Sequence, residues 1–333
     1  MNTPSAATLA YLELEPDDIL DAVEALGFDV NGRLLALNSY ENRVYQVGIG
    51  ERDNCVAKFY RPERWSDDAI REEHEFAAEL ADAEIPVVAP LEIDGDTLHY
   101  AGLFRVAVYP CHGGRSPDLD DLDQLEQLGR LVARIHNVGA TRAFRFRPTI
   151  DIDSFGTESV DYLLDEERIP AELEPAYSTV ADDVLDAVEY CFEQAGAVRT
   201  LRLHGDFHPG NVLVNRDRFH LVDLDDARTG PAVQDLWMFL SGERQEQEPQ
   251  LAALLKGYTA FRDFDPIELH LVEALRSLRL MHYAAWLARR WDDPAFKQAF
   301  PWFASPRYWE DHVLSLREQI ALMQEPPLRW LED

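Results

Sequence analysis

Lysine is almost missing from this chain of 333 residues: of 31 basic side chains only Lys58, Lys256 and Lys297 are lysine, against 62 acidic residues. The formal charge of −31 leaves no basic surface able to displace counterions from a polyphosphate, so no nucleic-acid partner is expected. Cysteine is just as scarce. Cys55, Cys111 and Cys191 are odd in number and far apart, which argues against a disulfide framework or a cysteine metal site and for a reducing compartment. No apolar run approaches the length of a membrane span, and the acidic N-terminus lacks the basic start and apolar core of an export signal. Cytoplasmic residence without a membrane partner is expected. Internal repeats and low-complexity linkers are also absent. The carboxylate excess suits a salt-adapted source, because salt screens the mutual repulsion.

What is present concentrates in one segment. Leu203-His204-Gly205-Asp206-Phe207-His208-Pro209-Gly210-Asn211 is followed by Leu221-Val222-Asp223-Leu224-Asp225-Asp226. Val212 to Asn215 and Phe219 to Val222 read as two strands joined by the turn Arg216-Asp217-Arg218. Folding the chain there sets Asn211 opposite Asp223. An amide oxygen beside a carboxylate suits Mg²⁺, which keeps several waters and completes its shell with nucleotide phosphates. Asp206 sits on the loop entering the hairpin, where Gly205 and Pro209-Gly210 let the backbone turn. A carboxylate held there can accept a hydroxyl proton during phosphoryl transfer. His204 and His208 have no Cys or third His nearby at zinc-site spacing, so they are expected to brace the loop.

Phosphoryl transfer also needs a cation on the phosphates. Lys58 lies in the strand-like run Cys55-Val56-Ala57-Lys58-Phe59-Tyr60, which matches a V-A-I-K pattern. The next stretch, Asp67 to Leu80, reads as a helix with an acidic first turn. A glutamate from it, Glu73 or alternatively Glu72, is expected to pair with Lys58 and hold the ammonium toward the nucleotide.

The chain exceeds the size at which one core stops growing, so two lobes are expected. Residues 1–108 carry short strands at Leu34–Leu37, Arg43–Val47, Cys55–Tyr60, Val87–Ile93 and Phe104–Val108, with a helix at Asp17–Leu26. Tyr109 to Arg115 is the expected hinge, whose backbone would bind adenine. Residues 116–333 are mostly helical, with a core helix at Leu122–His136 and others at Glu158–Asp165, Thr179–Gln194, Gln247–Tyr258, Pro266–Arg290 and Arg307–Met323.

Four runs carry a resemblance: Leu37-Asn38-Ser39-Tyr40-Glu41-Asn42-Arg43-Val44-Tyr45-Gln46, Lys58 to Trp65, His204 to Asn211, and Val222 to Met238. They resemble the bacterial stress response kinase A family, within the choline kinase and aminoglycoside phosphotransferase superfamily. The likeness runs from about Asp17 to Leu328. It implies a two-lobed, protein kinase-like α+β fold and an ATP- and Mg²⁺-dependent protein serine/threonine kinase, monomeric and cytoplasmic, acting in stress survival. Carried over by motif position, Asp206 is the proton acceptor, Asn211 and Asp223 bind Mg²⁺, Ser39 lies at the nucleotide, and Asp225 either stands behind the metal or binds it. The same superfamily parts also serve small-molecule kinases acting on an alcohol or amino alcohol, which stays open as the alternative. Three departures from ordinary protein kinases stand out. No G-x-G-x-x-G precedes Lys58, Leu224-Asp225 replaces Phe-Gly after Asp223, and no room remains for an activation segment after Asp226.

Overall fold

The computed structural model describes residues 6–216 and 218–330. In chain order its helices and strands are α1 (Ala6–Leu12), α2 (Pro16–Ala25), β1 (Val30–Ala36), β2 (Arg43–Ile49), β3 (Asp53–Phe59), α3 (Asp67–Asp82), β4 (His99–Ala101), β5 (Phe104–Pro110), α4 (Leu122–Gly139), α5 (Glu158–Asp165), α6 (Glu174–Ala195), β6 (Thr200–Leu203), β7 (Val212–Asn215), β8 (Arg218–Leu221), β9 (Arg228–Pro231), α7 (Gln234–Trp237), α8 (Arg244–Thr259), α9 (Val272–Arg289), α10 (Pro294–Ala299) and α11 (Pro306–Met323). The chain divides into two compact units. One comprises residues 1–117, 144–147 and 209–227; the other comprises 118–143, 148–208 and 228–333. Together they make an α+β fold: an antiparallel sheet toward the N-terminus and a larger, mostly helical part.

The first unit is built on a five-stranded antiparallel sheet of order β1-β2-β3-β5-β4. Alternation along β3 sends Cys55, Ala57 and Phe59 into a core shared with Ile19 and Val23 of α2, Val47 of β2, and Val106 and Val108 of β5. Lys58 therefore points to the other face. Helix α3 starts where Ser66 caps it, its hydroxyl accepting the Ala69 N–H at 3.1 Å. Val87–Ile93, expected as a strand, is extended chain with isolated bridges only. Pro86 precedes it and Pro90 interrupts it, and neither has the N–H group a ladder needs. It still anchors locally, since the Val88 N–H donates to Leu221 O at 2.8 Å and the Leu91 N–H to Val108 O at 2.7 Å.

The β7–β8 hairpin differs from expectation by one residue of register. Val212 pairs with Leu221 and Asn215 with Arg218, so Arg218 is a strand residue and the turn has two residues. Asp217, assigned to the same turn, lies outside the described residues. Arg216 has φ 48°, in the left-handed region that tight hairpin turns require. Across the open end the Val222 N–H donates to Asn211 O at 3.0 Å, which puts Asp223 one step beyond Asn211's partner.

In the second unit α4 and α8 approach so closely that a Cβ on Gly129 would sit 1.9 Å from Leu254 O, and one on Gly257 would sit 1.8 Å from Glu126 O. Only glycine allows this backbone contact. Strands β6 and β9 form a two-stranded ribbon, joined through Thr229 to Thr149. No strand was expected at either place. The expected helix Pro266–Arg290 opens as a 3₁₀ turn over Pro266–Leu271 before α9.

Candidate active site

Lys58 is the buried lysine of the three, 5% exposed, while Lys256 is largely exposed. Its Nζ lies 3.1 Å from Oδ1 of Asp223 and 3.1 Å from Oδ1 of Asp225, and 5.1 Å from the centre of the Tyr60 ring. Burial alone would pull the ammonium's pKa down. The carboxylates of Asp225, Asp223 and Glu73 outweigh it and hold the group well above the ordinary lysine value.

Asp223 takes a left-handed conformation, φ 61° and ψ 66°, at the start of the 3₁₀ turn Leu224–Asp226. Its side chain stays half exposed, whereas that of Asp225 is buried. Arg64 explains how Asp225 can be buried as an anion. The Arg64 guanidinium donates to Asp225 through Nη1 and to Asp226 Oδ1 through Nη2 at 2.8 Å, and its Nε stands 3.5 Å from Glu41 Oε1. Burial would raise the Asp225 pKa, but Arg64 and Lys58 pull it down to about 2.

Behind this turn, Arg147 donates through Nε to Ala227 O at 2.8 Å and through Nη2 to Asp225 O, and its guanidinium lies 4.2 Å from the Trp65 ring. Glu72 fixes Arg147 in turn. Its carboxylate accepts the backbone N–H groups of Arg145, Phe146 and Arg147 at 2.6, 2.8 and 3.1 Å. Glu72, the alternative partner for Lys58, instead secures residues 145–147 against α3. Glu72→Ala leaves three N–H groups without that acceptor. We expect a loss of about 2–3 kcal/mol, read as a lower urea midpoint at unchanged m-value. An unchanged midpoint would show that water replaces the carboxylate.

Glu73, the expected partner of Lys58, acts on it through the field and not as an ion pair among the described residues. It is buried, and its Oε2 has no hydrogen-bond partner. Burial raises its pKa from 4.5 to about 7, against the opposing pull of Lys58. An acid with a raised folded pKa keeps its proton in the fold after the unfolded chain has lost it. Stability from this group therefore declines as pH rises from about 4.5 to about 7, then levels off. Glu73→Gln should be more stable than wild type at pH 8, by up to about 3 kcal/mol, and indistinguishable at pH 4. Equal denaturation midpoints for the two proteins at both pH values would contradict the assignment. Next to Glu73, His74 shares a buried network with Tyr60 OH at 2.7 Å and Thr97 Oγ1 at 2.8 Å, and burial lowers its pKa to about 3.

Ser39 lies half-buried between β1 and β2, its N–H donating to Leu37 O at 2.9 Å. The loop around it is tied to the segment after β3: Asn42 Oδ1 accepts the Arg61 N–H at 3.1 Å, and Arg61 Nε donates to Glu41 O at 2.9 Å. Asn211 ends the 3₁₀ turn Pro209–Asn211. Asn211 and Asp223 thus leave the same open end of the hairpin. Among the described residues no group of three or more His, Cys, Asp or Glu could hold a metal alone. A carboxylate and an amide at one end of a hairpin are oxygen ligands of the kind that Mg²⁺ accepts beside water and phosphates.

Asp206 belongs to the other unit, on the loop after β6. Asp235, entirely buried, holds that loop: it accepts the N–H groups of His204 at 2.8 Å and Gly205 at 2.9 Å, with His136 Nε2 at 3.3 Å. Gln234 Nε2 donates to Gly205 O at 2.9 Å, and Phe207 is buried against His204 and Phe239. His204 braces the loop by this stacking. His208 Nε2 lies 3.6 Å from Asp206 Oδ2. Arg279 of α9 donates to Asp206 Oδ1.

Sequence reasoning missed Arg64, Arg147, Asp235 and Arg279. A signal existed for Asp235, a charge inside the apolar stretch Ala232 to Trp237, and for Arg64, which lies in the Lys58 to Trp65 run. Arg279 and Arg147 had none.

Residues 33–270 match the phosphotransferase enzyme family (APH). Stress response kinase A of Salmonella choleraesuis is 46% identical over 319 residues, covering 96% of each chain. The serine/threonine protein kinase RdoA of Salmonella typhimurium matches to the same extent. Stress response kinase A of Escherichia coli K12 is 45% identical, over 97% of this chain and 98% of its own. Among solved structures, the amicoumacin kinase hAmiN, in complex with AMP-PNP, Ca²⁺ and Ami, superposes with a TM-score of 0.72 at 18% identity, over 95% of this chain and 96% of that one. A microcompartment-associated aminopropanol kinase superposes with a TM-score of 0.69 at 19% identity, over 93% and 100%. With that fold, and with a buried lysine against paired carboxylates, the chain belongs to the phosphotransferase enzyme family and, within it, to the stress response kinase A family of ATP-dependent phosphotransferases.

Proposed function

We propose that the chain is a cytoplasmic, monomeric serine/threonine protein kinase that transfers the γ-phosphate of Mg²⁺–ATP to a protein hydroxyl. The observation that carries this reading is the placement of Lys58 against Asp223 and Asp225, with Arg64 neutralising Asp225. Asp225 is thereby committed to cations of the protein, and the half-exposed Asp223 remains available to a metal. Asn211 and Asp223 would hold Mg²⁺, which when bound offsets the negative charge of the phosphates. Lys58 would then turn to the α and β phosphates, Glu73 backing it from α3. Ser39 and the loop to Asn42 would lie along the phosphates, and residues 109–115 would present backbone groups to adenine. Residues 1–108 act in this reading as the nucleotide lobe and 116–333 as the acceptor lobe.

Asp206 is the base. The acceptor O–H gives its proton to the Asp206 carboxylate as the oxygen bonds to the γ-phosphorus, and the bond from phosphorus to the departing ADP oxygen breaks. The RdoA name of a relative supports a protein acceptor. The test is incubation of the purified protein with labelled ATP and Mg²⁺, alone and with a general protein acceptor, beside Asp206→Ala. Label should enter protein with wild type alone. Turnover confined to a small alcohol, with no phosphoprotein, would overturn the protein-kinase reading.

A further inference from the structure

The ion pair between Arg279 and Asp206 places a cation where the acceptor must arrive. Both side chains reach solvent, Asp206 24% exposed and Arg279 37%. Helix α9 carries three arginines against the single carboxylate of Glu273, with Arg290 following, in a chain whose net charge is −31. Three of these four arginines serve packing. Arg276 lies 5.0 Å from the Trp237 ring and 3.1 Å from Glu273, Arg289 lies 4.8 Å from the Tyr162 ring, and Arg290 donates to Trp286 O at 3.1 Å. Arg279 is set against the proposed base.

Helical spacing aligns Arg279 with Tyr283 and Trp286 on one face. The two rings stack with centroids 5.6 Å apart and planes 16° apart, and Tyr283 is 38% exposed. An acceptor on this face would meet an aromatic platform and a guanidinium together. Its hydroxyl has to come within hydrogen-bond reach of Asp206, about 2.6–3.2 Å, so its neighbouring groups fall beside Arg279. A cationic neighbour there would face like charge. A carboxylate or phosphate would meet the planar donor fork that binds such groups bidentately.

We propose that Arg279 determines acceptor specificity: it exchanges Asp206 for an anionic group carried beside the reacting hydroxyl, and so returns the Asp206 carboxylate to the proton it must take. For a protein acceptor this means a serine or threonine flanked by acidic residues. The inference rests on the reading of Asp206 as base and names the acceptor class of that same site.

The experiment uses one serine peptide core with acidic, neutral or basic flanks, tested on wild type, Arg279→Gln and Arg279→Glu, with thermal denaturation to confirm folding. For wild type, kcat/KM should be at least about tenfold higher on the acidic peptide than on the basic one. Arg279→Gln should level the series, Arg279→Glu should invert it, and added salt should compress all three differences. A purely structural arginine would lower every rate alike. A wild-type preference for basic flanks, or an order unchanged in folded Arg279→Glu, overturns the proposal. Small hydroxy acids and amino alcohols are run in parallel. Turnover of hydroxy acids without any peptide would keep the role of Arg279 and sink the protein-kinase reading, whereas turnover of amino alcohols would sink both.

Discussion

Asp206→Ala should lower kcat by roughly 10²- to 10⁴-fold while nucleotide affinity stays near that of wild type. The separation follows from how the loop is held. Its backbone hangs on Asp235, through the N–H groups of His204 and Gly205, and on Gln234, through Gly205 O. None of these bonds involves the Asp206 side chain. The groups assigned to metal and phosphates, Lys58, Asn211 and Asp223, belong to the other compact unit and keep their own supports. Truncation should therefore remove the proton acceptor and leave the fold. Single-turnover phosphoryl transfer beside equilibrium nucleotide titration measures the two effects apart. A parallel loss of affinity and rate would mean that Asp206 contributes to binding the nucleotide and is not a base alone.

Asp225→Asn should cost about 3–5 kcal/mol of folding stability, the range for removing one member of a buried charge network. The carboxylate is shared by Arg64 and Lys58, and Arg147 holds the carbonyl of the same residue. An amide returns neither cation its counter-charge. The pH dependence gives a second signature. Because the folded pKa of Asp225 is depressed to about 2 from 3.8, its contribution is complete above about pH 4 and is lost as pH falls through about 2. Wild type should lose stability over that window by this route, and Asp225→Asn should lack that part of the acid limb. A variant with the wild-type urea midpoint at pH 7 would show that the cations find other partners.

Much of this arrangement was legible in the sequence because it is local. The strand around Lys58 shows as alternation, α3 as an acidic first turn, and the hairpin as two short apolar runs. The register slipped because Arg218 looks like a turn residue by type, while Arg216 in the left-handed region lets two residues close the hairpin. Val87 to Ile93 has strand composition, but Pro86 and Pro90 deny it a ladder. Glu72 and Glu73 are adjacent acids on one helix, and nothing in their spacing tells that one caps residues 145–147 and the other remains buried without a partner for Oε2. Arg279 and Asp206 are joined by tertiary placement alone, 73 residues apart. Pairings of that kind leave no local trace.

The first compact unit recruits residues 144–147 and 209–227 from far along the chain. A fragment ending at Pro117 would contain the whole five-stranded sheet, yet Lys58 and Arg64 would stand without Asp223, Asp225 and Asp226. The sheet can form early during synthesis, but its charges cannot close before Asp226 has been added, when about two thirds of the chain is made. Excision of the sheet as a nucleotide-binding module would therefore leave Lys58 with the field of Glu73 and Arg64 with Glu41, without the three aspartates that meet them in the whole chain, and any workable fragment has to carry the hairpin and its acidic turn.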